Sequence, residues 1–395
     1  MNLKKLGLLP WILVAILLGV LLGGILPLWG IRIFATFNAI FSNFLQFLIP
    51  LIILGLVTPA IADIRQGAGK LLLITVAIAY ADTLFAGFTS YATSVTFFPG
   101  MIDPSAATAA VEAARDAQPY FSIDIPPILS VMSALIAAFI LGLGIAHFQA
   151  ETMRSFFSEF KRIIEQVIAK AIIPLLPVYI FGIFLAMTYS GQAATVIRTF
   201  LKIIIVIFIL HVLLLVFQYC VAGAIARKNP FKALWRMLPA YFTALGTSSS
   251  AATIPVTVSS TIKNGVSEDT AGFVIPLCAT IHLSGSMLKI VACAVALMLM
   301  QGMPVELGQF TGFILMLGIM MVAAPGVPGG AIMAALGVLS SILGFNQEQQ
   351  ALMIALYITM DNFGTACNVT GDGAIALVIE RIRRKTPADS LLRSE

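Results

Sequence analysis

Residues 241–258 read YFTALGTSSSAATIPVTV, and residues 318–339 read GIMMVAAPGVPGGAIMAALGVL. Both are apolar at their ends and interrupted in the middle. Ser248, Ser249 and Ser250, followed by Pro255, break the first; Pro325, Gly326, Pro328, Gly329 and Gly330 break the second. Neither makes a good continuous helix, because proline removes a backbone donor and an interior glycine costs about 1 kcal/mol against alanine. Non-helical backbone at membrane depth has to be buried in protein or line a cavity. Each segment therefore reads as a hairpin that enters a membrane, turns at its polar tip and leaves by the same side.

The rest of the chain supports a membrane setting. Of 395 residues, 59% are hydrophobic and 10% charged, against about 25% charged in a soluble domain. A helix needs about 20 apolar residues to cross a bilayer. Such runs cover 8–28, 34–61, 71–98, 126–147, 166–189, 199–224, 273–300, 310–337 and 349–380, with little of soluble size between them. The 310–337 run belongs to the second hairpin. The fold class is thus an all-α polytopic membrane protein of eight transmembrane helices plus two re-entrant hairpins. Lys4 and Lys5 precede a full-length apolar run with no small-residue cleavage site after it. The start therefore reads as a first membrane helix and not as a cleaved signal peptide.

A net charge of +5 raises the question of nucleic acid, and the distribution answers it. Basic residues such as Arg65, Lys70, Lys161, Arg162, Arg227, Lys228, Arg236, Arg383 and Arg384 fall in alternate connections. The remaining connections are neutral or acidic, as at Asp103, Glu112, Asp116 and Asp124. This is the positive-inside pattern. It puts both termini in the cytoplasm, the 99–125 loop outside and the chain in the cell (inner) membrane, with lipid as its surroundings and no nucleic-acid partner. Cys220, Cys278, Cys293 and Cys367 lie in apolar segments without metal-ligand spacing, as buried small hydrophobes do.

Each interrupted segment is followed by a span that is polar at its centre: IHLSGS at 281–286 and DNFGTACNVTGD at 361–372. Paired interrupted segments in two halves of a chain point to a transporter's binding site. Charges at the bilayer centre cost at least about 2.5–3.5 kcal/mol and so need a partner or a task. Asp361 and Asp372 lie about three helical turns apart, with the oxygens of Thr365, Asn368 and Thr370 between them. Such hard donors suit a sodium ion or a substrate ammonium. His282 and Lys289 lie two turns apart on the 273–300 span, and Asp82 sits beside Tyr80 and Thr83 in the third span. A buried lysine that keeps its charge implies a buried carboxylate or a substrate anion. His211, in a long aliphatic run, reads as a satisfied core histidine.

LGTSSSAATIPVT, APGVPGGAIM and DNFGTACNVTGD with a basic tail, in that order, resemble the dicarboxylate/amino acid:cation symporters, the glutamate-transporter homologues. The resemblance covers essentially the whole chain and is strongest over 240–380. It implies an elevator-type homotrimer with inverted repeats and no enzymatic activity. The scaffold would comprise 1–69 and 99–193; the transport domain would comprise 70–98 and 194–385, with hairpins near 238–260 and 310–344; 386–395 would be a cytoplasmic tail. By resemblance Asp361 holds a substrate amino group. Asn368 and backbone around Ser249 and Ser250 hold the carboxylate, and Gly326 and Val327 close the second hairpin. Thr365 and Ser286 line the side-chain pocket beside Ser248, Lys289 and Gly364. Asn368 and Asp372 would form a residual sodium site.

Two departures from that family shape the functional expectation. The broken seventh span usually reads NMDGT, but here it is HLSGS. His282 and Ser284 replace an asparagine and an aspartate associated with sodium, while Asn368, Asp372, Tyr80 and Thr83 are retained; together with Asp82 these residues are expected to serve ion or proton coupling. Histidine titrates in the physiological range, so proton coupling is chemically available. Acidic-substrate members also carry an arginine where Ser248 or Gly364 stands here. The expectation is a secondary active transporter of a small, neutral amino acid with weak or absent sodium coupling, and no cofactor beyond a coupling Na+ or H+. The alternative is a sodium- or proton-coupled carrier of acidic amino acids or dicarboxylates, with Lys289 on the side-chain carboxylate. An intramembrane hydrolase built on Ser248–Ser250 lacks anything like a nucleophile elbow.

Overall fold

The computed structural model of the protein describes residues 8–65, 70–102, 118–191, 193–324 and 328–385. These residues are helical almost throughout, and no strand occurs among them. Gly326 and Val327, expected at the second hairpin tip, lie outside the described residues, as do Lys4, Lys5, Asp103, Glu112 and Asp116.

Helix α1 (Leu8–Gly23) packs along α6 (Ile173–Tyr189) through two glycines one turn apart. A Cβ at Gly19 would stand 2.9 Å from the Phe181 carbonyl oxygen, and one at Gly23 would stand 2.5 Å from Thr188 Cβ. Small residues let helix backbones approach where no hydrophobic force separates protein from lipid. Helix α2 (Leu28–Arg65) packs on α4 (Val131–Phe148), where a Cβ at Gly142 would meet Ile61 Cβ at 2.7 Å. Helix α3 (Lys70–Phe97) lies against α12 (Ser284–Met300). Helix α5 (Glu151–Val167) carries Arg154, Lys161 and Glu165 on its sequence and runs through a π turn into α6.

Helices α7 (Ala193–Ala226) and α8 (Pro230–Arg236) lead to α9 (Leu238–Thr247) and α10 (Ser250–Lys263). The α9–α10 pair turns at Ser248, whose φ of 50° ends α9 in the left-handed region, and Ser249 caps α10 by accepting from Ala252 N–H at 3.3 Å. Helix α11 (Glu268–Ile281) breaks at His282 and Leu283 before α12 begins. Helices α13 (Leu307–Ala323) and α14 (Gly330–Leu343) pack on each other, and Gly329, at φ 74°, precedes α14. Helix α15 (Gln347–Thr359) and α16 (Asp361–Lys385) meet at Met360. The apolar run expected over 349–380 is therefore two helices, and the break falls where the Met360 carbonyl faces Lys289 Nζ at 3.4 Å.

Six helical stretches among the described residues are long and apolar enough to cross a membrane: Leu28–Ala62, Leu71–Gly100, Val131–Phe148, Glu151–Tyr189, Val196–Ala226 and Glu268–Met300. Helices α1, α13 and α14 are shorter apolar elements. The core centres on α12, buried from Ser284 to Met298 without interruption.

Candidate functional site

Both interrupted segments are fastened to the first two residues of α16. At the α9–α10 turn, Ser248 Oγ donates to Asn362 Oδ1 at 2.5 Å, and Asn362 Nδ2 donates to the Leu245 carbonyl at 2.8 Å. From the other segment, Gly329 N–H donates to Asp361 Oδ2 at 2.8 Å. Two turns that are far apart in sequence thus converge on adjacent residues. Helix N-termini carry unpaired N–H groups and partial positive charge, so the starts of α10 and α14 bring anion-favouring backbone to this region.

Lys289 enters the same place from α12. Its Nζ lies 3.0 Å from Asp361 Oδ1, 3.4 Å from the Met360 carbonyl and 3.5 Å from the centre of the Tyr357 ring. Lys289 is fully buried and Asp361 nearly so. Removing one partner of such a buried pair costs about 3–5 kcal/mol. Glycine at 364 makes the arrangement possible, since a Cβ there would stand 2.6 Å from Nζ and 2.8 Å from Cε.

One helix turn toward the other end of α16, Asn368 Oδ1 accepts from Gly285 N–H at 2.8 Å and Ser286 N–H at 3.3 Å. Asn368 Nδ2 donates to Ser286 Oγ at 3.2 Å, and Ser286 Oγ meets the Tyr357 hydroxyl at 2.9 Å. Asn368 thereby stitches the broken start of α12 to α16.

A second charged cluster forms where α11 breaks. His282 Nδ1 lies 2.8 Å from Asp372 Oδ1, and Nε2 lies 2.7 Å from Asp82 Oδ2. Gln218 of α7 donates to Asp82 Oδ2 at 2.6 Å and to Ser284 Oγ at 3.2 Å. A hydrogen bond in each histidine–carboxylate contact needs one proton apiece. With both in place, the three groups carry one net negative charge wherever those protons sit. Asp372 Oδ2 is buried with no hydrogen-bond partner among the described residues. The ring is held tightly: a Cβ at Gly371 would meet His282 Cε1 at 2.9 Å.

The sequence-predicted residues therefore fall into two groups on α16. Ser248, Lys289, Asp361 and Gly364 gather at its start, with Ser286, Thr365 and Asn368 just beyond; Asp82, His282, Ser284 and Asp372 gather deeper in. Ser249 and Ser250 open α10. Tyr80 and Thr83 bond elsewhere: the Tyr80 hydroxyl donates to the Leu315 carbonyl at 3.2 Å and Thr83 Oγ1 to the Ala79 carbonyl at 2.8 Å. His211 Nε2 meets the Gly285 carbonyl at 3.0 Å. Sequence reasoning missed Gln218, Tyr357, Asn362 and Gly329 as participants. Gln218 had a legible signal, being a lone amide in a long apolar run, and Asn362 sits inside the DNFGTACNVTGD motif.

The family model described as "Sodium:dicarboxylate symporter family" matches residues 8–382. The chain is similar to Excitatory amino acid transporter 3 of Mus musculus, at 34% identity over 162 residues, covering 41% of this chain and 31% of that protein. It is similar to Excitatory amino acid transporter 2 of Homo sapiens at 26% identity over 257 residues, covering 63% and 44%. Against Excitatory amino acid transporter 1 of Homo sapiens the identity is 29% over 242 residues, covering 60% and 44%. The matched part spans less than half the length of these relatives.

Proposed function

The chain belongs to the sodium:dicarboxylate symporter family, and from that premise we propose that it is a secondary transporter of a small amino acid with a neutral side chain, with weak or absent sodium coupling. The family is one of transporters and not of enzymes.

One observation carries the coupling proposal: the His282 ring bridges the Asp82 and Asp372 carboxylates. Sodium needs several hard oxygens converging on one dehydrated ion. Here a cation-capable ring stands between the two carboxylates, and the Asn368 carbonyl oxygen is turned onto the Gly285 and Ser286 amides. This arrangement supports weak or absent sodium coupling. Proton coupling or solute exchange takes its place, and the unpartnered Asp372 Oδ2 is the open acceptor for a carried proton.

The neutral side chain follows from Ser248 and Gly364, which leave no guanidinium for a second carboxylate. A second reading, transport of acidic amino acids or dicarboxylates, is favoured by the names of the relatives. It requires Lys289 to leave Asp361 and reach the solute. Transport by an elevator mechanism in a homotrimer, with re-entrant hairpins, the scaffold and transport domains divided as above, and both termini cytoplasmic in an inner membrane, completes the proposal. The test is uptake of a labelled panel into liposomes with sodium and proton gradients imposed separately. Uptake driven by the proton gradient or by internal solute is expected; strict dependence on the sodium gradient would overturn the coupling proposal.

A further inference from the structure

We propose that α8 is a docking site for the headgroup of an anionic phospholipid, with Phe231 and Trp235 seated in the bilayer surface and the cations around them facing the phosphate. The proposal needs the chain to be a membrane protein and is independent of the solute it carries.

Helix α8 exposes its largest residues. Phe231 is 65% and Trp235 73% exposed, and their i, i+4 spacing puts them on one face. They follow in sequence on an exposed apolar stripe of α7, where Phe217, Val221 and Ile225 recur every four residues. Tryptophan joins an apolar ring to a polar N–H, which is why membrane interfaces favour it.

The helix is fixed in place. Asn229 caps it by accepting from Lys232 N–H at 3.0 Å. Asn264, just beyond α10, donates through Nδ2 to the Ala233 carbonyl at 3.0 Å and accepts from Lys228 Nζ on its own carbonyl. Arg236 donates to the Lys263 carbonyl at 2.9 Å. These bonds clamp α8 to the end of α10, so the aromatic pair is presented in one orientation.

Positive charge gathers around that pair. Lys232 and Arg236 are themselves exposed. Lys228 lies close enough to Arg384 and Arg236 that their repulsion adds to burial in lowering its pKa. The nearby carboxylates are engaged: Glu380 by Arg384 at 2.6 Å and Ser267 at 2.8 Å, and Asp269 by Arg383 at 3.4 Å. Among the described residues Lys232, Arg236 and Lys263 make no ion pair. Clustered cations without counter-charge call for an anion from outside. A soluble anion offers nothing to Phe231 and Trp235, whereas an anionic lipid supplies phosphate and acyl chain together.

The experiment follows tryptophan fluorescence of the full chain in phosphatidylcholine vesicles containing brominated phosphatidylglycerol or brominated phosphatidylcholine. The protein has three tryptophans, so the difference from Trp235→Phe reports Trp235. Brominated phosphatidylglycerol should quench Trp235 at about a fifth of the content or less, since one surface cation alone gives about a fivefold preference for anionic lipid. Lys232→Gln with Arg236→Gln should remove that preference. Lys161→Gln with Arg162→Gln, which takes equal charge from α5, should leave it. Equal quenching by the two lipids in the unsubstituted protein, or equal loss in both double variants, would overturn the headgroup site. No quenching by either lipid would overturn the docking itself. Loss of the preference on adding millimolar inorganic phosphate at constant ionic strength would make the ligand a free anion and overturn the proposal as well.

Discussion

The backbone of Gly364 passes so close beneath Lys289 that a Cβ at residue 364 would stand 2.6 Å from the ammonium nitrogen. The Lys289–Asp361 pair thus depends on a glycine three residues further along α16. Gly364→Ala should push Nζ off Asp361 and lower stability by about 1–3 kcal/mol, the usual cost of overpacking. Gly272→Ala is the control, because a Cβ there meets nothing within 4 Å; it should be neutral or raise stability by up to about 1 kcal/mol. Thermal unfolding in detergent compares the two, and equal effects would contradict this account of the pair.

The contact between α1 and α6 makes a different prediction. Gly23 faces Thr188, with a would-be Cβ 2.5 Å from Thr188 Cβ. Gly23→Val should separate α1 from α6 and cost about 1–3 kcal/mol. Because this contact lies away from α16, solute preference should not change. A shift in the preference for matched solutes, measured on the folded variant, would show that α1 couples to the site.

Assembly can be tested on α4. Met132, Ile136, Ile140 and Leu143 form an exposed apolar stripe along that helix in the single chain, on a span expected to contribute to the trimer together with 34–61 and 166–189. Native mass spectrometry in detergent should show three copies. The double change Ile136→Glu and Ile140→Arg should give monomer if α4 lies in the interface, and an unchanged trimer would place the contact elsewhere.

Restoring the family pattern should restore the ion. His282→Asn with Ser284→Asp returns an amide and a carboxylate to the start of α12 and removes the ring between Asp82 and Asp372. The double variant should gain sodium-dependent solute binding, read as a sodium-induced shift in melting temperature. His282→Ala alone should instead destabilise the protein by about 3–5 kcal/mol, because it strips the buried Asp372 carboxylate of its partner. A double variant indifferent to sodium would show that the two positions do not control the ion.

What was legible in the sequence was local chemistry. The serine run and the Pro/Gly run announced their own breaks, since neither can continue a helix, and α9–α10 and α13–α14 do turn near them. The break at Met360 was hidden, because no glycine or proline marks it and the Met360 carbonyl faces a lysine on another helix. Lys289 announced a need for a buried carboxylate or a substrate anion, and His282 a titratable group in a polar break. Which carboxylate each would take depends on the packing of α12 against α16, across 71 or more residues, and spacing along one span carries no such information. Tyr357 illustrates the same limit: its ring lies under Lys289, but in sequence it is one more aromatic in an apolar run.

The central claim is that His282, held between Asp82 and Asp372, stands in for the sodium of related carriers. The direct measurement is solute affinity of the purified protein with sodium replaced by choline, repeated across a pH series. The account predicts an affinity unchanged in choline and dependent on pH. A large loss of affinity in choline with no dependence on pH would contradict it and return the chain to sodium coupling.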